Sequence, residues 1–369
     1  MNITTRQAIE KELNELYKPD QPAQAPRTIG FQRNYTINLV SYAPNRAVCR
    51  EVEAVLQELS PLFPGRYLIL CLAASEETIP LHHHVSAHCI SSPGRGKPIC
   101  CDIINLEAKA EVLEHLYGLT LSLLIPDLAV EIWWPEDVPM QSMFFRQIAD
   151  EADRVWVDSA QFSHPEASLA DLAVTWGVQF PKTVLADMNW VRFRRWRNLV
   201  AELFDGEWTP YLAQIKRVVI EYGEGSQTTR SFLLTCWMAA RLGWQYKGEP
   251  LAKIPAEIEF DSAGGAVTVV ITPVAAVDQK RDRLFAVRIF TGESPSGVFT
   301  VVRDTDPQRV IARSEIGGVE SFCRILSFEH LGFSHLLGEG LKHWGRDPAW
   351  ESTLAMLRTI LKASAVVAG

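Results

Sequence analysis

Apolar residues recur along this chain with two periods, and the switches between them mark out its elements. Residues 4–17 hold Ala8, Ile9, Leu13 and Leu16 among Glu and Lys positions, a spacing that predicts a short amphipathic helix. The segment KPDQPAQAPRT follows with three prolines. Each fixes its own φ and drives its predecessor out of the helical region, so 18–28 is expected to be an extended connector. Residues 35–42 (YTINLVSY) alternate and are rich in strand formers, whereas 46–59 place Val52, Val55, Leu56 and Leu59 at helical spacing. Residues 67–74 (YLILCLAA) form a continuous apolar run, the pattern of a strand buried on both faces. Strand, helix, strand in this order predicts a crossover and α/β architecture.

Residues 85–91 and 97–104 read as two strands around the turn Ser92-Pro93-Gly94-Arg95-Gly96. An unbulged register then sets His88 opposite Cys100, Ser86 opposite Asp102 and Cys89 opposite Ile99. A helix over 107–124, a strand at 128–134, a helix at 141–151, a strand at 154–159 and a helix at 166–176 complete an α/β domain with a mixed sheet, residues 1–180. The pattern loosens over 177–187. It resumes with one helix over 190–204, where Trp190, Phe193, Trp196, Leu199, Val200 and Leu203 recur every three or four residues. In the second domain, 181–369, a strand (216–222) and a helix (228–242) precede strands at 254–261, 266–273, 284–291 and 298–303, with a short one at 308–313. Helices at 320–337 and 347–363 close it, giving a mixed α+β fold with antiparallel strands grouped together.

Composition narrows the function classes. A chain of 369 residues with 47% hydrophobic positions and a net charge of −8 is long enough for two cores. It lacks the basic excess of a nucleic-acid binder. No run approaches the ~18 apolar residues of a membrane span, and the first helix is charged rather than signal-like, so a cytoplasmic protein without membrane association is expected. Seven cysteines, an odd number without a CxxC pair, spell out neither a disulfide framework nor a zinc ribbon.

Two clusters carry candidate chemistry. Leu81-His82-His83-His84-Val85-Ser86-Ala87-His88-Cys89 lies across the turn from Cys100-Cys101, and imidazole and thiolate are soft-metal ligands. Strand alternation splits this cluster, with His84, His88 and Cys100 on one face and Cys89 and Cys101 on the other. The same residues also read as a solvated strand with packed thiols, or as a redox-responsive group. Nothing outside the hairpin supplies a fourth ligand, so no metal is assigned. Arg192, Arg194, Arg195 and Arg197 alternate with Phe193 and Trp196, a pattern for phosphate backbones or for an acidic protein partner. The acidic total favours the protein.

P-loop, GxGxxG, GxSxG and HExxH patterns are all missing, so neither a catalytic residue nor a cofactor is assigned. Asp127, Glu131, Asp137, Asp153 and Asp158 near strand ends read either as active-site carboxylates or as helix caps. Eleven tryptophans tilt the choice toward an interaction protein.

Several tryptophan-bearing motifs occur in a distinctive order. They are Pro126-Asp127-Leu128-Ala129-Val130-Glu131-Ile132-Trp133-Trp134-Pro135, Ala152-Asp153-Arg154-Val155-Trp156-Val157-Asp158-Ser159, Ala186-Asp187-Met188-Asn189-Trp190 through Trp196-Arg197, and Leu203-Phe204-Asp205. With Arg66 in PGRYLIL, Val85-Ser86-Ala87-His88-Cys89, and Trp237-Met238-Ala239-Ala240-Arg241-Leu242-Gly243-Trp244, the stretch from about 60 to 245 resembles the glucose-6-phosphate dehydrogenase assembly proteins of the OpcA type. The resemblance implies a non-catalytic protein that binds glucose-6-phosphate dehydrogenase, promotes its active oligomer and activates it allosterically at the head of the oxidative pentose phosphate pathway. It places the candidate partner surface around Trp133, Trp134, Asp187, Asn189, Trp190 and Arg197, where the tryptophans read equally as core packing and Asp187 or Asn189 as a helix N-cap. It also implies redox control, linked to thioredoxin in photosynthetic members, for which Cys89, Cys100 and Cys101 are the candidates. Two other readings stay open: an enzyme or sensor binding a sugar phosphate or nucleotide at the strand ends of the first domain, and a metal-binding regulator acting through the histidine run.

Overall fold

The computed structural model describes residues 2–17, 32–33, 35–74, 81–90, 98–223, 228–251, 253–275, 284–292, 296–306, 308–327 and 331–361. The expected connector at 18–28 and the hairpin turn at 92–96 lie outside the described residues. The first half runs α1 (Asn2–Leu16), β1 (Gln32–Arg33), β2 (Ile37–Ala43), α2 (Arg46–Leu59), β3 (Gly65–Leu72), β4 (Leu81–Ile90), β5 (Ile99–Ala108), α3 (Ala110–Leu113), α4 (Tyr117–Leu123), β6 (Ala129–Trp134), α5 (Met143–Asp150), β7 (Arg154–Val157), α6 (Pro165–Gln179) and β8 (Val184–Asp187). The second continues with α7 (Met188–Arg192), α8 (Arg194–Glu202), a 3-10 segment (Gly206–Gln214), β9 (Ile215–Gly223), α9 (Thr229–Leu242), β10 (Glu257–Ser262), β11 (Gly265–Val274), β12 (Leu284–Thr291), β13 (Gly297–Arg303), β14 (Arg309–Ile316), β15 (Val319–Ser327), α10 (Phe333–Leu341) and α11 (Pro348–Ile360).

The chain is of the mixed α/β class with two sheets, as its pattern predicts. One sheet has the order β1-β5-β3-β2-β6-β7-β8, with β4 also on β5. Its pairs β1–β5, β5–β3, β3–β2, β2–β6 and β6–β7 are parallel, and β4–β5 is antiparallel. The other sheet is ordered β10-β11-β9-β12-β13-β14-β15, and within it only β9–β11 is parallel. The apolar run of β3 is buried over seven of its eight residues, and α2 turns Val52, Leu56 and Leu59 inward while Asn45 caps its start.

By contact the chain forms two compact units: residues 1–158, 180–186 and 332–343, and residues 159–179, 187–331 and 344–369. Helix α6 joins the second unit and α10 the first. Within the first unit α10 lies against α2 and β7, and a Cβ added at Gly340 would overlap the ring of Trp156. Gly340→Ala is therefore expected to cost about 1–3 kcal/mol, read as a lowered urea midpoint, because a fixed indole cannot make room.

Several elements differ from the sequence reading. The hairpin register is shifted by one: Cys89 faces Cys100, His88 faces Cys101 and Ser86 faces Ile103. The helix expected at 107–124 begins later, because residues 104–108 pair with β3 and β4, and sheet pairing overrides local propensity. It is also split in two, and Glu114 in the break accepts from Ser142 Oγ (2.8 Å) and Phe144 N (3.1 Å) at the start of α5. The helix expected at 190–204 breaks at Phe193, which is buried with φ −100° and ψ 16°. Residues 320–327 form β15 rather than the start of a helix over 320–337. Gly317 and Gly318, at φ 59° and 82°, make the tight turn that sends the chain back along β14.

Candidate functional site

Asp187 ends β8 and caps α7, and a buried knot forms around it in the second unit. Its Oδ1 accepts from Asn189 N (2.8 Å) and Ser159 N (3.1 Å), and its Oδ2 accepts from the Ser159 hydroxyl (2.6 Å). Asn189 Nδ2 donates to Ser159 Oγ at 3.1 Å, and its Oδ1 receives Arg230 Nε at 3.1 Å and Arg192 Nη1 at 3.4 Å. One turn on, Trp190 Nε1 donates to Asp347 Oδ2 (2.8 Å), while its ring meets Trp350 at 5.1 Å and the edge of Phe193 at 5.3 Å. The Arg197 guanidinium lies 3.3 Å from the Trp190 ring centre, and its Nη1 donates to Trp190 O at 2.7 Å. Burial pushes Arg197 down to about 9, against the pull of Asp347, so it is charged at neutral pH.

In the first unit Trp133 and Trp134 end β6. Trp134 stacks flat on Tyr42, with ring centres 4.3 Å apart, and takes the edge of Phe145 at 5.0 Å. Trp133 lies 6.2 Å from Phe333 of α10. Three residues before the end, Glu131 accepts from Trp156 Nε1 (2.8 Å) and faces Arg154 Nε at 3.5 Å. Burial raises the Glu131 pKa, and the Arg154 charge opposes that.

All six candidate partner residues are buried: Trp133, Trp134, Asp187, Asn189, Trp190 and Arg197. Asp187, Asn189, Trp190 and Arg197 gather around α7, and Trp133 and Trp134 belong to the other unit. Sequence reasoning missed Ser159, Arg230 and Asp347. Asp347-Pro348 was a readable helix start, a cap followed by proline at the first helical position, whereas Arg230 gave no local signal.

Family models described as the glucose-6-phosphate dehydrogenase subunit N-terminal domain and C-terminal domain, the two OpcA assembly domains, match residues 56–174 and 183–354. The chain belongs to the OpcA family. Relatives named OpcA are 27% identical in Synechocystis sp. over 312 residues, 28% in Synechococcus elongatus over 310, and 29% in Nostoc punctiforme over 296. These matches take in 82%, 81% and 75% of this chain, which spans 64%, 68% and 61% of the relatives' own lengths. A glucose-6-phosphate 1-dehydrogenase from Mycobacterium avium superposes with a TM-score of 0.49 at 11% identity, covering 88% of this chain and 91% of that one.

In this OpcA-family chain the hairpin cysteines differ in bonding and burial. Cys89 and Cys100 are joined in a disulfide across directly opposed positions, with Cα atoms 4.0 Å apart. Cys89 is exposed and Cys100 buried. Cys101 points to the other side, its thiol 3.8 Å from Ser60 O, and burial raises its pKa. His88 also reaches Ser60, Nδ1 to Oγ at 2.8 Å. Among the described residues no three His, Cys, Asp or Glu side chains gather into a metal site, and no helix is long and apolar enough to cross a membrane.

Proposed function

We propose that this chain is a non-catalytic assembly factor and allosteric activator of glucose-6-phosphate dehydrogenase, acting by protein–protein contact in the oxidative pentose phosphate pathway. The observation that carries the reading is the match of both halves to family models whose descriptions name that dehydrogenase.

The crevice chemistry of the first unit supports the non-catalytic part. Its order β5-β3-β2-β6-β7-β8 winds outward on both sides of the β2–β6 junction, and ligands of such sheets bind beyond the carboxyl ends at that switch point. Here Tyr42 and Trp134, from those two strands, stack on each other at that junction. The turn into α2 is Pro44-Asn45, without glycine, and the Asn45 carboxamide accepts from Ala47 N and Val48 N at 2.9 and 3.0 Å. Those are N–H groups that a pyrophosphate would need.

The mechanism is linkage. A protein that binds the assembled dehydrogenase more tightly than its dissociated form shifts the population by the difference in binding free energy, and equal affinity shifts nothing. Since Trp133, Trp134, Asp187, Asn189, Trp190 and Arg197 are buried, they act on the partner through what they hold in place. Phe333 beside Trp133 and Arg195 on α8 are exposed examples.

Mixing the chain with the dehydrogenase of the same organism is expected to give a larger complex and a raised rate or lowered apparent KM. Mass photometry and initial rates read this, and no association under either redox condition overturns the proposal. The redox part rests on the exposed Cys89 of the Cys89–Cys100 bond, a sulfur open to a dithiol reductant such as thioredoxin. Differential alkylation after reduction and reoxidation is expected to map a reversible pair to these two residues. Thiols that stay alkylatable after oxidation would remove them from the redox reading.

A further inference from the structure

In the second unit β9 and β11 are adjacent and parallel, and α9 lies in the connection between them and packs against both. A helix so placed starts beyond the carboxyl end of its strand, where such units hold anions. Thr228, at the N-cap of α9, is partly exposed and makes no capping hydrogen bond. Thr229 and Ser231 follow in the first turn, 0% and 1% exposed, and neither hydroxyl has a hydrogen-bond partner among the described residues. Buried hydroxyls are nearly always paired, so two left over within one turn mark a place where a ligand supplies the acceptor.

The surroundings fix the charge of that ligand. Cα–Cβ bonds in a helix tilt toward its N-terminus, so both hydroxyls lean toward the open first-turn N–H groups, the positive end of the helix dipole. Arg230 stands between the two hydroxyl residues, and its Nε donates to Asn189 Oδ1 at 3.1 Å. Arg192 of α7 meets the same oxygen through Nη1 at 3.4 Å, which brings a second guanidinium to this end. Asp187, the nearby acid of the knot, accepts from Ser159 and from Asn189 N.

We propose that the start of α9 is a binding site for a phosphate group, free or carried as a sugar monoester. Every group gathered there can donate, and a phosphate offers only acceptors. Thr229 and Ser231 are about 200° apart around the helix axis, so the tetrahedral oxygens of a phosphate reach both sides where a flat carboxylate reaches one. The N–H groups take the oxygen on the axis, the hydroxyls take the flanking ones, and the arginine charges balance the anion.

Titration calorimetry of the intact chain with inorganic phosphate, at ionic strength held constant with potassium chloride, is expected to show one saturable site. Thr229→Val and Ser231→Ala should each weaken it about tenfold, the worth of one hydrogen bond to a charged acceptor. Neither should lower the urea midpoint of the free chain, because a hydroxyl without a partner stabilises nothing there. Glucose 6-phosphate is the second probe: tighter binding than phosphate marks a sugar ester as the ligand, and equal or weaker binding marks the free anion. No saturable site in the parent, a site that both variants leave unchanged, or a loss of stability in both free variants overturns the proposal. The first of these is read in the unsubstituted chain, so a variant that fails to fold does not shelter it. No dehydrogenase is present, so failure here leaves the assembly reading standing.

Discussion

Asp187→Ala is expected to lower the stability of the chain by about 3–5 kcal/mol, the sum of a lost cap and of buried donors left without an acceptor. The carboxylate accepts from two backbone N–H groups and one hydroxyl, and its residue is 1% exposed, so water cannot replace it. The damage spreads, because Ser159 Oγ also receives Asn189 Nδ2, and Asn189 in turn receives Arg230 and Arg192. Asp187→Asn keeps an acceptor for the backbone groups and is expected to lose less than half as much. Urea unfolding by tryptophan fluorescence measures both. An alanine variant within 0.5 kcal/mol of the parent would show that the knot does not hold this segment. The asparagine variant then separates two roles: a folded chain that still activates the dehydrogenase makes Asp187 a positioning residue only.

The elements with strong periodicity were legible in the sequence, and those set by tertiary pairing were not. Helix α2 and strand β12 begin and end where the apolar pattern predicts, since one carries a capped amphipathic face and the other is rich in strand formers, with Phe285, Val287, Ile289, Phe290 and Thr291. Strand β15 was hidden because Val319, Phe322 and Ile325 recur every third residue, which is a helical spacing and not the alternation of a strand. The twin glycines at 317 and 318 carried the deciding information. The hairpin register depended on the length assigned to the turn, and one residue of error moved Cys100 from His88 to Cys89. The six partner candidates were found by motif order, which reports what a family keeps. It does not separate residues that touch a partner from residues that hold a fold, and all six are buried in this chain.

The second large effect is expected at Arg154, and its pH dependence gives it a signature. Arg154 is 5% exposed, donates through Nη1 to His343 O (2.9 Å) and Gly340 O (3.3 Å), and faces Glu131, which is fully buried on β6. Arg154→Ala removes the fastening of the last turn of α10 and strands an acid without its cation, a change expected to cost about 3–5 kcal/mol near pH 8. Burial already raises the Glu131 pKa, and losing Arg154 raises it further. For an acid whose folded pKa lies above the unfolded value near 4.5, the stabilising share is complete below that value and is lost as pH rises through the folded one. The deficit of Arg154→Ala relative to the parent should therefore shrink as pH falls from 8 toward 5. In Arg154→Ala/Glu131→Gln the pH dependence should vanish and part of the stability return, because the amide keeps the bond from Trp156 Nε1 without a buried charge. Thermal melts of the three chains across that range measure it. A deficit independent of pH would mean that the loss comes from the two carbonyls of α10 and its last turn, with Glu131 paired only in name.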